Sequence, residues 1–106
     1  MSQLKHLATL EEYEQAIKSD KLCCIKFTAT WCPPCQKVAP LYVALATEMA
    51  DVVDCVECDV DANGDAAGAA GVEAMPTFMF YKNGEKLHSV RGADIDAVRA
   101  GVVAHK

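Results

Sequence analysis

Trp31-Cys32-Pro33-Pro34-Cys35 is the stretch of this 106-residue chain whose residue types and spacing can do chemistry. Two cysteines separated by two residues on a helical turn lie within reach of one another, so they can pass between dithiol and disulfide. The segment Leu22 to Thr28 before them reads as a buried strand, and a helical pattern runs from about Pro34 to Met49 after them. Cys32 therefore falls at a helix N-cap. There, unpaired N–H groups and the positive end of the helix dipole favour a thiolate, which is the nucleophile of disulfide exchange. Pro33 and Pro34 carry no N–H, which leaves the Cys35 amide as the nearest backbone donor for that sulfur. Consecutive prolines also stiffen the loop and lower the entropy lost on ring closure. Cys32 is the expected attacking thiol and Cys35 the resolving one, with Trp31 as a shield and a flat surface for partner proteins.

Four further cysteines need a reading. Nineteen residues separate the first pair from Cys55-Val56-Glu57-Cys58, a spacing that also suits a four-cysteine zinc site. Residues three apart on a strand point to opposite faces, so Cys55 and Cys58 are not expected to grip one ion, and no metal is assigned. Cys23, Cys24, Cys55 and Cys58 are read as small apolar core residues. His6, His88 and His105 fit no ligand or relay spacing and are read as surface residues.

The elements that must hold the pair alternate along the chain. Thr9 and Glu12 form a capping-box pair ahead of Leu10, Tyr13 and Ile17 at helical spacing. Val38, Leu41, Tyr42, Leu45 and Met49 mark one face of the second helix, which contains Pro40 and should kink there. Val52 to Val60 reads as a strand, and the Gly- and Ala-rich segment 61–71 as a loop with one or two helical turns. Thr77 to Tyr81 and Leu87 to Arg91 flank Asn83-Gly84, a hairpin signal, and Asp94 caps a last helix carrying Ile95, Val98 and Val102 inward. Strands separated by helices run parallel and the hairpin adds antiparallel partners, so a single α/β domain over residues 1–106 is expected, its central mixed sheet flanked by helices on both faces.

Composition narrows the function. The chain is 52% hydrophobic and 24% charged, which argues against disorder. Its net charge of −5, without a basic stretch, argues against nucleic-acid binding. The first residues lack an apolar run of signal-peptide length, and no run is long enough to span a bilayer, so no membrane role is expected. With free thiols this points to the cytoplasm or a similarly reducing compartment.

Taken together, Phe27, Ala29, Trp31-Cys32, Pro34-Cys35, Pro40, Asp59-Val60-Asp61, Met75-Pro76-Thr77, Lys82-Asn83-Gly84-Glu85 and Gly92-Ala93 give the chain a resemblance to the thioredoxin family over nearly its whole length. The resemblance implies the thioredoxin fold and an activity reducing protein disulfides. It also implies a cis Pro76 facing the cysteine pair and a peptide groove of Trp31, Pro33, Pro34, Met75, Pro76, Arg91, Gly92 and Ala93. Pro33 stands where the family usually has Gly, which makes the motif similar to that of tryparedoxins and nucleoredoxins. Lys26 stands where thioredoxins usually carry a buried aspartate, and Glu57 where they often have lysine. Strand alternation leads us to expect a charge-exchanged Lys26–Glu57 pair behind Cys35, and the resemblance implies that Glu57 takes over that aspartate's role as acceptor of the Cys35 proton, which a neutral Lys26 could also accept.

The expected function is a monomeric protein disulfide oxidoreductase that uses no organic cofactor. It acts on protein disulfides and is restored by an external reductase. Two alternatives are a tryparedoxin-like carrier recharged by a low-molecular-weight thiol and a binding module that turns nothing over.

Overall fold

The computed structural model describes residues 4–106. In chain order these form β1 (Lys5–His6), α1 (Leu10–Ile17), β2 (Leu22–Thr28), α2 (Pro33–Glu48), β3 (Val53–Asp59), α3 (Gly64–Ala70), β4 (Thr77–Lys82), β5 (Glu85–Arg91) and α4 (Ile95–His105). The five strands make one sheet in the order β1-β3-β2-β4-β5. β1, β3 and β2 run parallel, while β4 and β5 are antiparallel to their neighbours. This is the α/β architecture expected, a mixed sheet with β2 at its centre and therefore able to hold a site rigidly at its C-terminal end.

Alternation along β2 sorts its side chains into two cores. Cys23, Ile25 and Phe27 pack with Leu7, Tyr13 and Cys58 on the α1/α3 side. Leu22 and Cys24 pack with Tyr42, Leu45, Phe78 and Val98 on the α2/α4 side. Both faces of β2 are thus covered, which is why its sequence reads as a continuous apolar run rather than an alternation.

Local chemistry sets the ends of the elements. Thr9 Oγ1 accepts the Glu12 N–H at 3.1 Å, and the Glu12 carboxylate accepts the Ala8 N–H at 2.9 Å. Asn63 caps α3 and Asp94 caps α4 through their side chains. Asn83 and Gly84 both adopt positive φ, 55° and 81°, as the tight hairpin turn requires. Their N–H groups donate to Ser19 O (2.8 Å) and Ile17 O (2.7 Å), so the turn rests on the end of α1.

Three expectations need correction. Leu10 and Leu41 lie at helical spacing but are exposed, because each sits at the rim of its apolar stripe and finds no neighbour beyond it. α2 begins at Pro33 rather than Pro34, with both prolines in the first turn, where a missing N–H costs nothing. Cys55 is only half-buried, because the outer strand β1 is two residues long and pairs with Val56 and Glu57, leaving Cys55 outside that register.

Gly101 in α4 meets a filled neighbourhood: an added Cβ would lie 2.8 Å from the Phe80 ring and 3.0 Å from His88. Phe80 is fully buried and has nowhere to retreat. Gly101→Ala should therefore destabilise the protein by about 1 kcal/mol, the overpacking cost exceeding the gain in helix propensity. A urea midpoint equal to or above that of wild type would show that the ring yields freely.

Candidate functional site

Cys32 leaves β2 through a short turn, its N–H donating to Ala29 O at 3.3 Å, and takes the N-cap position of α2. Its backbone is extended (φ −96°, ψ 106°), which aims the sulfur at the open amides of the first turn. Pro33 and Pro34 supply no donor, and the Cys35 N–H points at Cys32 Sγ across 3.3 Å. The two cysteines are joined by a disulfide. Cys32 keeps 4% of its surface exposed and Cys35 keeps none, so an incoming group can reach only the first sulfur.

The surroundings of the pair come from three separate parts of the chain. Ala29, Val60 and Met75 pack against the two cysteines. The Met75–Pro76 peptide is cis, and the Met75 carbonyl oxygen lies 3.7 Å from Cys32 Sγ. Gly92, at φ 92°, donates its N–H to Pro76 O at 2.9 Å and so ties the end of β5 to this loop. Arg91 is exposed beside it and pairs with Glu73 at 3.0 Å. Trp31 is 64% exposed, yet its ring is held in place by Nε1–H donating to Asp61 Oδ2 at 2.7 Å. Pro33, Pro34 and Ala93 are exposed on the same chain segments. Asp61 has no assigned role in the sequence reading. Thirty residues separate it from Trp31, and no local pattern reports such a contact.

The expected pairing of Lys26 with Glu57 forms. Lys26 and Glu57 are register partners on β2 and β3, with Lys26 Nζ 3.6 Å from Glu57 Oε2. Lys26 is 3% exposed at its side chain and Glu57 17%, so water screens little of the attraction. The ammonium also stands 5.7 Å over the Tyr42 ring. His6 is a surface residue as expected, its side chain largely exposed, and its Nε2 also approaches Glu57 Oε1 at 2.9 Å. The signal for it was the pairing of β1 with β3, and a two-residue strand carries almost no pattern of its own. A cavity of about 210 Å³ lies beside these groups, bounded by His6, Lys26, Glu57, Asp59, Gln36 and Ala29, the last in contact with the cysteine pair.

Cys55 and Cys58 belong to opposite cores, as alternation requires. Among the described residues no group of three or more His, Cys, Asp or Glu side chains is placed to hold a metal ion. No helix among them is long and apolar enough to cross a membrane.

Known proteins place this arrangement. The thioredoxin family profile matches residues 4–103. A thioredoxin of Geodia cydonium is 45% identical over 103 residues, covering 94% of this chain and 96% of its own. The crystal structure of Fasciola hepatica thioredoxin superposes with a TM-score of 0.92 at 37% identity, covering 97% of this chain and all of that one. A chain from a structure addressing thiol resolution in yeast mitochondrial 1-Cys peroxiredoxin via the glutathione/thioredoxin systems superposes at 0.91 with 34% identity, covering 98% and 99%.

Proposed function

The chain belongs to the thioredoxin family and is a protein disulfide reductase working through a Cys-X-X-Cys dithiol; from that premise we propose how its residues divide the work. Cys32, as thiolate, attacks one sulfur of a substrate disulfide, forming a mixed disulfide and releasing the other substrate sulfur as a thiol. Cys35 then gives up its proton and attacks Cys32 Sγ, which frees the second substrate thiol and leaves the Cys32–Cys35 bond. The observation that carries this assignment is the Cys35 N–H aimed at Cys32 Sγ, a donor that favours a negative sulfur at the helix start.

Trp31, Pro33, Pro34, Met75, Pro76, Arg91, Gly92 and Ala93 form the groove for an extended substrate segment. The Met75 backbone pairs with it, and Arg91 prefers acidic partners. Glu57 accepts the Cys35 proton while Lys26 holds Glu57 in place, and the cavity leading to His6 gives the proton an exit to solvent. The protein acts as a single-domain monomer without an organic cofactor, in a reducing compartment such as the cytoplasm, and a flavoprotein reductase restores its dithiol.

Insulin reduction tests the reductant. Turnover is expected with NADPH and a thioredoxin reductase; turnover only with a low-molecular-weight dithiol would favour the tryparedoxin-like carrier suggested by Pro33. No turnover with either would leave a binding module.

The proton route has its own test. In Glu57→Gln the resolution of a preformed mixed disulfide should slow by about 10-fold or more near neutral pH and regain speed as hydroxide takes over at higher pH. A pH profile unchanged from wild type would remove Glu57 from the chemistry.

A further inference from the structure

The mechanism at Cys32 leaves four thiols unused, and two of them face each other. Cys24 and Cys55 are register partners on the parallel strands β2 and β3, and both side chains belong to the α2/α4 core. Adjacent strands lie about 4.8 Å apart, inside the range of Cα separations that a disulfide spans. As register partners on one face of the sheet, the two side chains stand beside each other. Tyr42 stands over the pair, its hydroxyl 2.9 Å from both Cys24 O and Val56 O.

The partners differ in access. Cys24 is fully buried, whereas Cys55 is half-buried and borders a cavity of about 380 Å³ walled by Leu4, Lys5, Ala46, Ala50 and Asp54, with the buried Cys23 also in its wall. Both cysteines lie near the starts of β2 and β3, whereas Cys32 follows the far end of β2. The two pairs are thus at different ends of one strand.

We propose that Cys55 is a second thiol site, oxidised by small hydroperoxides entering this cavity, with Cys24 as its resolving thiol. In the first step the Cys55 thiolate attacks the peroxide. An S–O bond forms, the O–O bond breaks, and the departing alkoxide or hydroxide takes a proton from water, leaving Cys55 as a sulfenic acid. In the second step Cys24 sulfur attacks Cys55 sulfur. The S–O bond breaks and hydroxide leaves with the Cys24 proton as water. Two thiols lose two electrons in total, and one hydroperoxide becomes one alcohol and one water.

The electrostatics agree with this division of roles. The adjacent Cys24 thiol holds Cys55 below the ordinary thiol range, against burial and the neighbouring Asp54. Burial pushes Cys24 well up, Cys23 up to about 12 and Cys58 up to about 11. Of the four thiols, Cys55 alone is both half-buried and held below the ordinary range. Besides Cys24 and Asp54, the groups facing it are the Tyr42 hydroxyl and, on the cavity wall, Lys5 and the Cys23 thiol.

The test begins with protein whose Cys32–Cys35 disulfide is already closed, so that only Cys23, Cys24, Cys55 and Cys58 remain as thiols. After hydrogen peroxide, a thiol count in denaturant should fall by half, and tandem mass spectrometry should find a Cys24–Cys55 link. Cys24→Ala should instead yield a Cys55 sulfenic acid that dimedone traps. Cys55→Ser, changed at a half-buried position, should leave its remaining thiols untouched and still reduce insulin. Four surviving thiols in the wild type, or oxidation centred on Cys23 or Cys58, would overturn the proposal whatever the insulin assay shows.

Discussion

Cys35→Ser protein mixed with an oxidised protein substrate is expected to accumulate a covalent complex through Cys32, visible on a non-reducing gel and released by dithiothreitol. The substitution removes the sulfur that would resolve the complex but keeps the amide at position 35, so the donor aimed at Cys32 Sγ across 3.3 Å survives. Attack should therefore remain fast while release stops. Cys32→Ser is expected to be inert, with insulin reduction at least ~10³-fold below wild type, because a nucleophile removed from a working unit is not replaced by its partner. Cys35 retains no exposed surface and cannot take over the first step. A tenth of wild-type activity in Cys32→Ser, or the absence of a trapped complex in Cys35→Ser, would mean that the roles of the two sulfurs have been misassigned.

The second large effect concerns stability. Lys26 is 3% exposed at its side chain and has its countercharge, Glu57, at 3.6 Å. Glu57→Leu would leave that ammonium in the sheet without its ion-pair partner, at a cost of about 3 kcal/mol. The Asp59 carboxylate in the wall of the adjoining cavity places the value at the lower end of what broken buried pairs cost. Replacing both partners, Lys26→Met with Glu57→Leu, should recover most of the loss, since neither charge then needs solvation. Urea melts of the wild type, both single variants and the double variant form a cycle that isolates the pair. If the Glu57→Leu midpoint matches that of wild type, Lys26 is finding water, and the pair contributes little.

What the residues announced in advance follows from how local each signal is. β2 runs from Leu22 to Thr28 as its apolar composition suggests, since burial on both faces leaves an uninterrupted hydrophobic run. The hairpin at Asn83-Gly84 was legible because positive φ at two successive positions selects those residue types. Cys32 at the helix start was legible for the same reason: its cap, its prolines and its partner all lie within four residues. The contacts that escaped notice are long-range ones. Trp31 to Asp61 spans thirty positions, and His6 to Glu57 depends on a strand too short to show a period. Leu41 shows the converse, a residue with the right spacing on a helix whose covered face is narrower than its apolar stripe.

The hairpin tip is held by more than its own two residues. Tight turns are usually the easiest places to lengthen a chain or to open new termini. Here the Asn83 and Gly84 amides serve as the terminal cap of another element, closing off the Ser19 and Ile17 carbonyls at the end of α1. A peptide grafted into this turn, or a circular permutant cut there, would unfasten the first helix as well as the hairpin, so a display scaffold built on this chain should carry its insert elsewhere.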